Sequence, residues 1–219
     1  MIPLAVVQSD AAPSGYNVAI TASQYDLNLK TAFDVAYPSA SLISGDVINF
    51  TGTGTDFTTS AIVGGSPTSL TRGTWPAGVL VKVNNLIVLG HGGNARSASV
   101  DGGDAVNCST GPLEFNNCFI AAGGGAGISA YYGVGFGEYW AEGGGGAGYP
   151  PGYGNVNGTT QLGGVTFAGG GNGGDLGQPG STVAYGPVDH TSPAGVAGRA
   201  IVGASNATLN SCTVIGAQV

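Results

Sequence analysis

Apolar positions recur at short range in several runs along the first half of the chain. Tyr16 to Thr21 (YNVAIT), Asp46 to Thr51 (DVINFT) and Val79 to Val83 (VLVKV) alternate or run apolar, favour β-branched and aromatic residues, and are separated by Ser, Gly, Thr and Pro. Each predicts a strand. In Gln24 to Ala36 (QYDLNLKTAFDVA) the apolar residues Leu27, Leu29, Phe33 and Val35 follow a mixed pattern, and a short helix is expected within it.

A seven-residue pattern then occurs three times: KVNNLIV at Lys82 to Val88, EFNNCFI at Glu114 to Ile120, and TLNSCTV at Thr208 to Val214. Its form is polar, apolar, Asn, Asn or Ser, Leu or Cys, any residue, then Val or Ile. The last two copies are led by similar pairs, Ala105-Val106 and Ala200-Ile201. Strands whose Asn and apolar residues fall in equivalent places can stack, giving side-chain ladders and backbone pairing as in β-solenoids. The unequal spacing of the copies predicts a stacked scaffold with inserted excursions, and function is expected in the excursions.

Glycine accounts for 43 of the 219 residues and crowds residues 123 to 180, where Glu138, Glu142 and Asp175 are the only charges. A solvated linker is the ordinary reading of such sequence. This one instead carries Tyr131, Tyr132, Phe136, Tyr139, Trp140, Tyr149, Tyr153, Phe167 and, further on, Tyr185. An ordered alternative is a bundle of left-handed helices with three residues per turn, which have no internal hydrogen bonds and must bond to their neighbours. That close approach needs Gly on each contacting face. Gly123 to Gly127, Gly143 to Gly148 and Gly169 to Gly174 would supply such faces.

The resulting expectation is an all-β fold: an irregular β scaffold with solenoid-like stacked strands and Gly-rich, polyglycine II-type excursions. Residues 1–15 are read as an N-terminal docking arm, 16–121 as scaffold, 122–197 as the Gly-rich aromatic excursion, and 198–219 as a returning scaffold strand.

Charge and chemistry narrow the function. Twelve acidic residues against 5 basic ones give a net charge of −7, and the cations are scattered, which argues against a nucleic-acid partner. No run reaches transmembrane length, so no membrane insertion is expected, and no secretory signal is expected in the opening residues. Cys108, Cys118 and Cys212 lack metal-ligand spacing and read as small buried hydrophobes. His91, in Gly90-His91-Gly92-Gly93, reads as a turn residue, and Asp101-Gly102-Gly103-Asp104 as a turn in preference to a calcium loop. Trp75, beside Pro76 ahead of a strand, reads as core. No nucleophile elbow, phosphate loop or metal cluster is found, so neither an enzyme nor a cofactor is expected.

The combination of Gly73-Thr74-Trp75-Pro76-Ala77-Gly78, an apolar strand ending in Asn84-Asn85, a Gly-rich excursion and a return through Asn116-Asn117 resembles the glycine-rich tip regions of tailed-bacteriophage tail fibres and adhesins, over residues 16 to 219. The resemblance implies a virion protein, made in the host cytoplasm without a signal peptide, that binds the host surface non-covalently through distal loops. It also implies a homotrimer, which would suit a chain short of core. The Gly runs here are fewer and shorter than in adhesins with extended polyglycine sandwiches. Tyr and Trp offer large amphipathic contact area at low entropic cost, so receptor contact is expected at Tyr131, Tyr132, Tyr139, Trp140, Tyr149 and Tyr153, with Tyr185 and His190 in the second part of the excursion. Expected partners are a host-surface glycan or outer-membrane protein, and other virion proteins through the arm. The alternative is a purely structural virion protein, such as a head decoration or tail-tip component.

Overall fold

The structure is a computed structural model that describes residues 15–94, 101–127, 130–134, 137–141, 145–152, 159–162, 165–169, 172–181, 190–191 and 193–219. Its scaffold winds as five stacked coils, each contributing one strand to each of three parallel sheets. The first coil holds β1 (Gly15–Ala19), β2 (Gln24–Tyr25) and β3 (Leu27–Asn28). The second holds β4 (Val47–Thr51), β5 (Ile62–Gly64) and β6 (Thr68–Thr71), and the third β7 (Leu80–Asn84), β8 (Ile87–Leu89) and β9 (Asp104–Asn107). In the fourth coil β10 (Leu113–Asn116) and β11 (Phe119–Ala121) are completed only by β17 (Arg199–Val202), after the whole excursion. The last coil is β18 (Ala207–Asn210), β19 (Thr213–Ile215) and β20 (Ala217–Gln218). The stretch after residue 198 is therefore the end of one coil and all of the next, more than the single returning strand expected.

Stacking brings equivalent residues into columns. Val18, Phe50, Val83, Phe115 and Leu209 are successive register partners in the first sheet. Val63, Val88, Ile120 and Val214 do the same in the second, and Leu70, Val106 and Ile201 in the third. Alternating large and small members of a column interdigitate, and Phe50, Val83, Phe115, Val88 and Ile120 have no exposure at all. One chain closes this three-sided core by itself, so shortage of core gives no reason for a trimer.

The three copies of the seven-residue pattern are the turn from first to second sheet in the third, fourth and fifth coils. Asn85, Asn117 and Ser211 hold that corner at φ 52°, 51° and 54°, a left-handed conformation that Asn tolerates better than most residues because its short polar side chain bonds locally. Beside them the amides stack: Asn116 Nδ2 donates to Asn84 Oδ1 at 2.9 Å, Asn210 Nδ2 to Asn116 Oδ1 at 2.8 Å, and Asn117 Nδ2 to Asn85 Oδ1 at 2.7 Å. Lys82 bridges Glu114 one rung away at 3.1 Å, and its hydrogen bond holds the Glu114 carboxyl below the usual carboxylate range.

The helix, α1 (Leu29–Ala36), falls within residues 24 to 36 as expected, and Gln24–Tyr25 and Leu27–Asn28 ahead of it pair with the second coil as strands. Asn28 caps it by accepting from the Thr31 N–H at 3.0 Å. On the strand-facing side Phe33 meets Tyr16 and Trp75 edge-on, each with ring centroids 5.3 Å apart. Trp75 is buried as expected, its Nε1 donating to the Arg72 carbonyl at 2.9 Å.

Candidate functional site

Both excursions leave through the same corner, between the second and third sheets. Residues 90–103 connect β8 to β9, and residues 122–198 connect β11 to β17. In the other coils that corner is short: Asp26 alone, residues 65–67, and Gly216 alone.

At this corner the glycine segments form a hydrogen-bonded layer around residues 122–127. Successive amides Gly123, Gly124 and Gly125 donate to three different segments, at the carbonyls of Gly103, Ala147 and Gln178. The carbonyls are accepted with a recurrence of three residues. Gly90 and Gly93 donate to Ala121 and Gly124, Gly177 and Gly174 to Ala122 and Gly125, and Gly198 and Gly195 to Gly123 and Ala126. A fourth ladder of the same period joins Tyr149 and Gly146 to the carbonyls of Gly90 and Gly93. These bonds satisfy the backbone of segments that belong to no sheet. They also explain the composition: a Cβ on Gly124 would lie 2.5 Å from the Asp175 carbonyl oxygen and closer still to that of Gly174, and one on Gly102 or Gly198 would collide with the backbone of Gly123 or Gly103. Space, and not a left-handed φ, requires glycine at these positions.

Side chains pin the layer to the solenoid. Asp101 Oδ1 accepts from the Val196 N–H at 2.9 Å, and Asp104 accepts from the Arg199 N–H at 2.8 Å while pairing with its guanidinium at 2.6 Å. The acidic pair that suggested a turn or a calcium loop thus clips the returning chain, and the Asp104 bond raises the Arg199 pKa. His91 lies in a segment of no regular structure, not a turn, with its carbonyl accepting from the Gly103 N–H. On the outer face of the second sheet, Ile87, Leu89 and Ala121 are covered by Tyr149 and Leu176 from the glycine region together with Ile62, Phe119 and Ile215.

The excursion also carries two small sheets: β12 (Ala130–Val134), β13 (Gly137–Ala141) and β16 (His190–Thr191) form one, and the hairpin β14 (Thr159–Leu162) and β15 (Val165–Gly169) the other. The first brings five of the expected contact residues together. Tyr131 lies opposite Trp140 on one side and His190 on the other, and Tyr132 lies opposite Tyr139. Tyr149 stands apart from them: it is half-buried on the second sheet and stacks on Tyr25 with ring centroids 5.2 Å apart. Its hydroxyl bond raises the Tyr25 pKa. Tyr153 and Tyr185 lie outside the described residues. Tyr25, 55 % exposed, and Leu176 were not singled out in the sequence, since only the folded corner brings them to Tyr149.

The described cations leave little for an anionic ligand. Lys30 bridges Asp34 at 2.6 Å, Lys82 and Arg199 are paired as above, and Arg72 is buried with Nε donating to the Pro112 carbonyl at 2.7 Å. Among the described residues no group of His, Cys, Asp and Glu is placed to hold a metal ion. The three cysteines are free thiols; Cys108 and Cys118 are buried, and burial pushes the Cys118 pKa up to about 12.

A three-sheeted parallel solenoid with a glycine layer rooted at one corner is the architecture so defined. The model of a family described as phage tail fibre adhesin Gp38 matches residues 15–219, and the chain belongs to that family, which makes it a virion component. Among solved structures it is similar to a chain in the crystal structure of the gp37-gp38 adhesin tip complex of the bacteriophage S16 long tail fiber, with a TM-score of 0.54 and 21% identity over 94% of this chain and 82% of that one. That likeness is one of fold. No individually curated protein sequence matches the chain.

Proposed function

We propose that this protein is a tail-fibre adhesin that attaches the virion to the host cell surface by non-covalent binding, through the aromatic positions of the glycine-rich excursion: Tyr131, Tyr132, Tyr139, Trp140, Tyr149, Tyr153, Tyr185 and His190. The observation that carries this reading is the three-residue recurrence of hydrogen bonds about residues 122–127. It supports a small polyglycine-type sandwich that serves as a stiff mount, so that the strands bearing Tyr131, Trp140 and His190 are presented without a large ordering cost on binding. A host glycan or outer-membrane protein is the partner in this reading. Residues 1–15 dock on another virion protein, a role supported by the similar chain's having been solved within a gp37-gp38 complex. The homotrimer enters as a matter of stoichiometry alone, measured by light scattering.

The test is saturable binding of the fluorescently labelled chain to a panel of bacterial strains, competed by excess unlabelled chain. Binding to some strains and not others is expected. A folded protein that binds none of them overturns attachment and leaves the purely structural virion role.

A further inference from the structure

The fifth position of the seven-residue pattern is Leu86 in the third coil, Cys118 in the fourth and Cys212 in the last. Each follows the corner residue. Leu86 and Cys118 are buried in the core cluster, and Cys212 packs against it half-buried. The register on either side, Asn116 with Asn210 and Phe119 with Thr213, makes Cys118 and Cys212 direct neighbours in successive rungs. Rungs lie about 4.8 Å apart, inside the Cα separation of about 4.4–6.8 Å that a disulfide spans. The Cys118 N–H donates to the Cys212 sulfur at 3.4 Å, which places that sulfur against the backbone of its neighbour. The Cys118 thiol donates instead to the carbonyls of Val83, in the third coil, and Asn116, each at 3.4 Å. Thiols are weak donors, so turning the Cys118 side chain about its Cα–Cβ bond toward Cys212 forfeits little. Cys108 occupies a different corner, between the third and first sheets, with its thiol on the carbonyls of Val202 and Gly203.

We infer that Cys118 and Cys212 are a cross-linking site: they form a disulfide between the fourth and last coils when the folded chain meets an oxidising medium containing a low-molecular-weight disulfide. The Cys212 thiolate, on the more exposed residue, attacks one sulfur of that oxidant, giving a mixed disulfide and releasing one thiolate. The Cys118 thiolate then attacks the Cys212 sulfur and expels the second. Two protein thiols become one disulfide, and the oxidant is reduced to two thiols that take up the two protons. Burial raises the Cys118 pKa, so the second step is the slower one. The bond falls where the scaffold is least supported. The last coil has a neighbour on one side only, since its three strands are the ends of their sheets. The two cysteines are 94 positions apart in the chain, with the whole excursion between them. Their bond fastens the coil that follows the excursion, and it restricts the unfolded chain over a long loop.

The experiment incubates the folded, fully reduced protein with glutathione disulfide at about pH 8 for hours, the time disulfide formation can take. Free thiols are then counted after unfolding, and tryptic peptides are weighed by mass spectrometry. Wild type and Cys108→Ser are each expected to lose two thiols and to yield a peptide joining residues 97–199 to residues 200–219. Melting of the oxidised wild type is expected to rise by at least about 5 °C, and dithiothreitol should reverse the rise. Cys212→Ser, a change at a half-buried position, is expected to fold, to form no cross-link and to show no rise. The wild-type measurements need no variant to fold. A folded wild type that keeps three thiols, a reaction that stops at the mixed disulfide, a cross-link lost in Cys108→Ser, or a linked protein that melts no higher than the reduced one overturns the inference.

Discussion

Replacing Gly124 by alanine places a methyl group against the carbonyl oxygens of Gly174 and Asp175. Neither is the end of a flexible side chain, so the segment carrying them must move. Four hydrogen bonds meet at this point: Gly124 N–H to Ala147 at 2.7 Å, Gly93 N–H to Gly124 at 2.8 Å, Ala147 N–H to Gly174 at 2.9 Å and Gly174 N–H to Gly125 at 2.8 Å. At about 1 kcal/mol net for each, their loss costs about 4 kcal/mol. The stiffer unfolded chain of the alanine variant returns about 0.5–1 kcal/mol, leaving a destabilisation of about 3 kcal/mol. Gly15→Ala is the matched control, since a Cβ there meets nothing within 4 Å, and it is expected to stay within about 0.5 kcal/mol of wild type. Urea unfolding of both variants, followed by hydrogen exchange at the amides of Gly93 and Gly174, measures the global and local effects. A Gly124→Ala protein within about 1 kcal/mol of Gly15→Ala, with the two amides still protected, would refute the claim that close backbone approach dictates glycine here.

Two further outcomes follow from the scaffold. Asn116 both donates to and accepts from neighbouring rungs, whereas Asn210 is at the exposed end of the ladder; Asn116→Ala is therefore expected to cost about 2 kcal/mol and Asn210→Ala about 1 or less, and equal losses in denaturant titrations would count against the ladder. The Cys118 pKa is raised from 9.0 to about 12 by burial. Its stabilising contribution is accordingly complete below pH 9 and is lost as pH climbs from 9 toward 12. Unfolding titrations across that window are expected to show stability falling with pH more steeply in wild type than in Cys118→Ala, and alkylation of the native protein at about pH 8 should spare Cys118.

What the sequence disclosed and what it withheld have physical causes. The rungs at Asn84, Asn116 and Asn210 were legible because one corner imposes three demands at once: a left-handed residue, an amide ladder and an inward apolar neighbour. The first two coils were legible as strands but not as copies of the pattern, because they cross that corner by residues 20–23 and 52–61, which have no such residue to repeat. Their inward positions ask only for a fitting volume, and Val18 and Phe50 meet that demand without resembling each other. In the glycine region composition showed that segments approach closely, but the partners of Gly123, Gly124 and Gly125 come from positions 103, 147 and 178, and no local pattern pairs them. Tyr149 looked like its neighbours among the aromatics for the same reason: its place on Ile87 and Leu89 depends on where the corner turns the chain.

The shared corner also has a mechanical consequence. Both covalent paths from the aromatic sheets to the solenoid run through the crossings at residues 122 and 198, which are hydrogen-bonded beside those of the other connection at residues 90 and 103. A pull on the distal strands enters the solenoid there, after passing along ladders whose rungs lie between laterally paired segments. A load along these segments is shared among the several bonds that pair them laterally. The layer is therefore suited to carry tension from the excursion into the solenoid, with the weakest link expected at the clips of Asp101 and Asp104 and not within the coils.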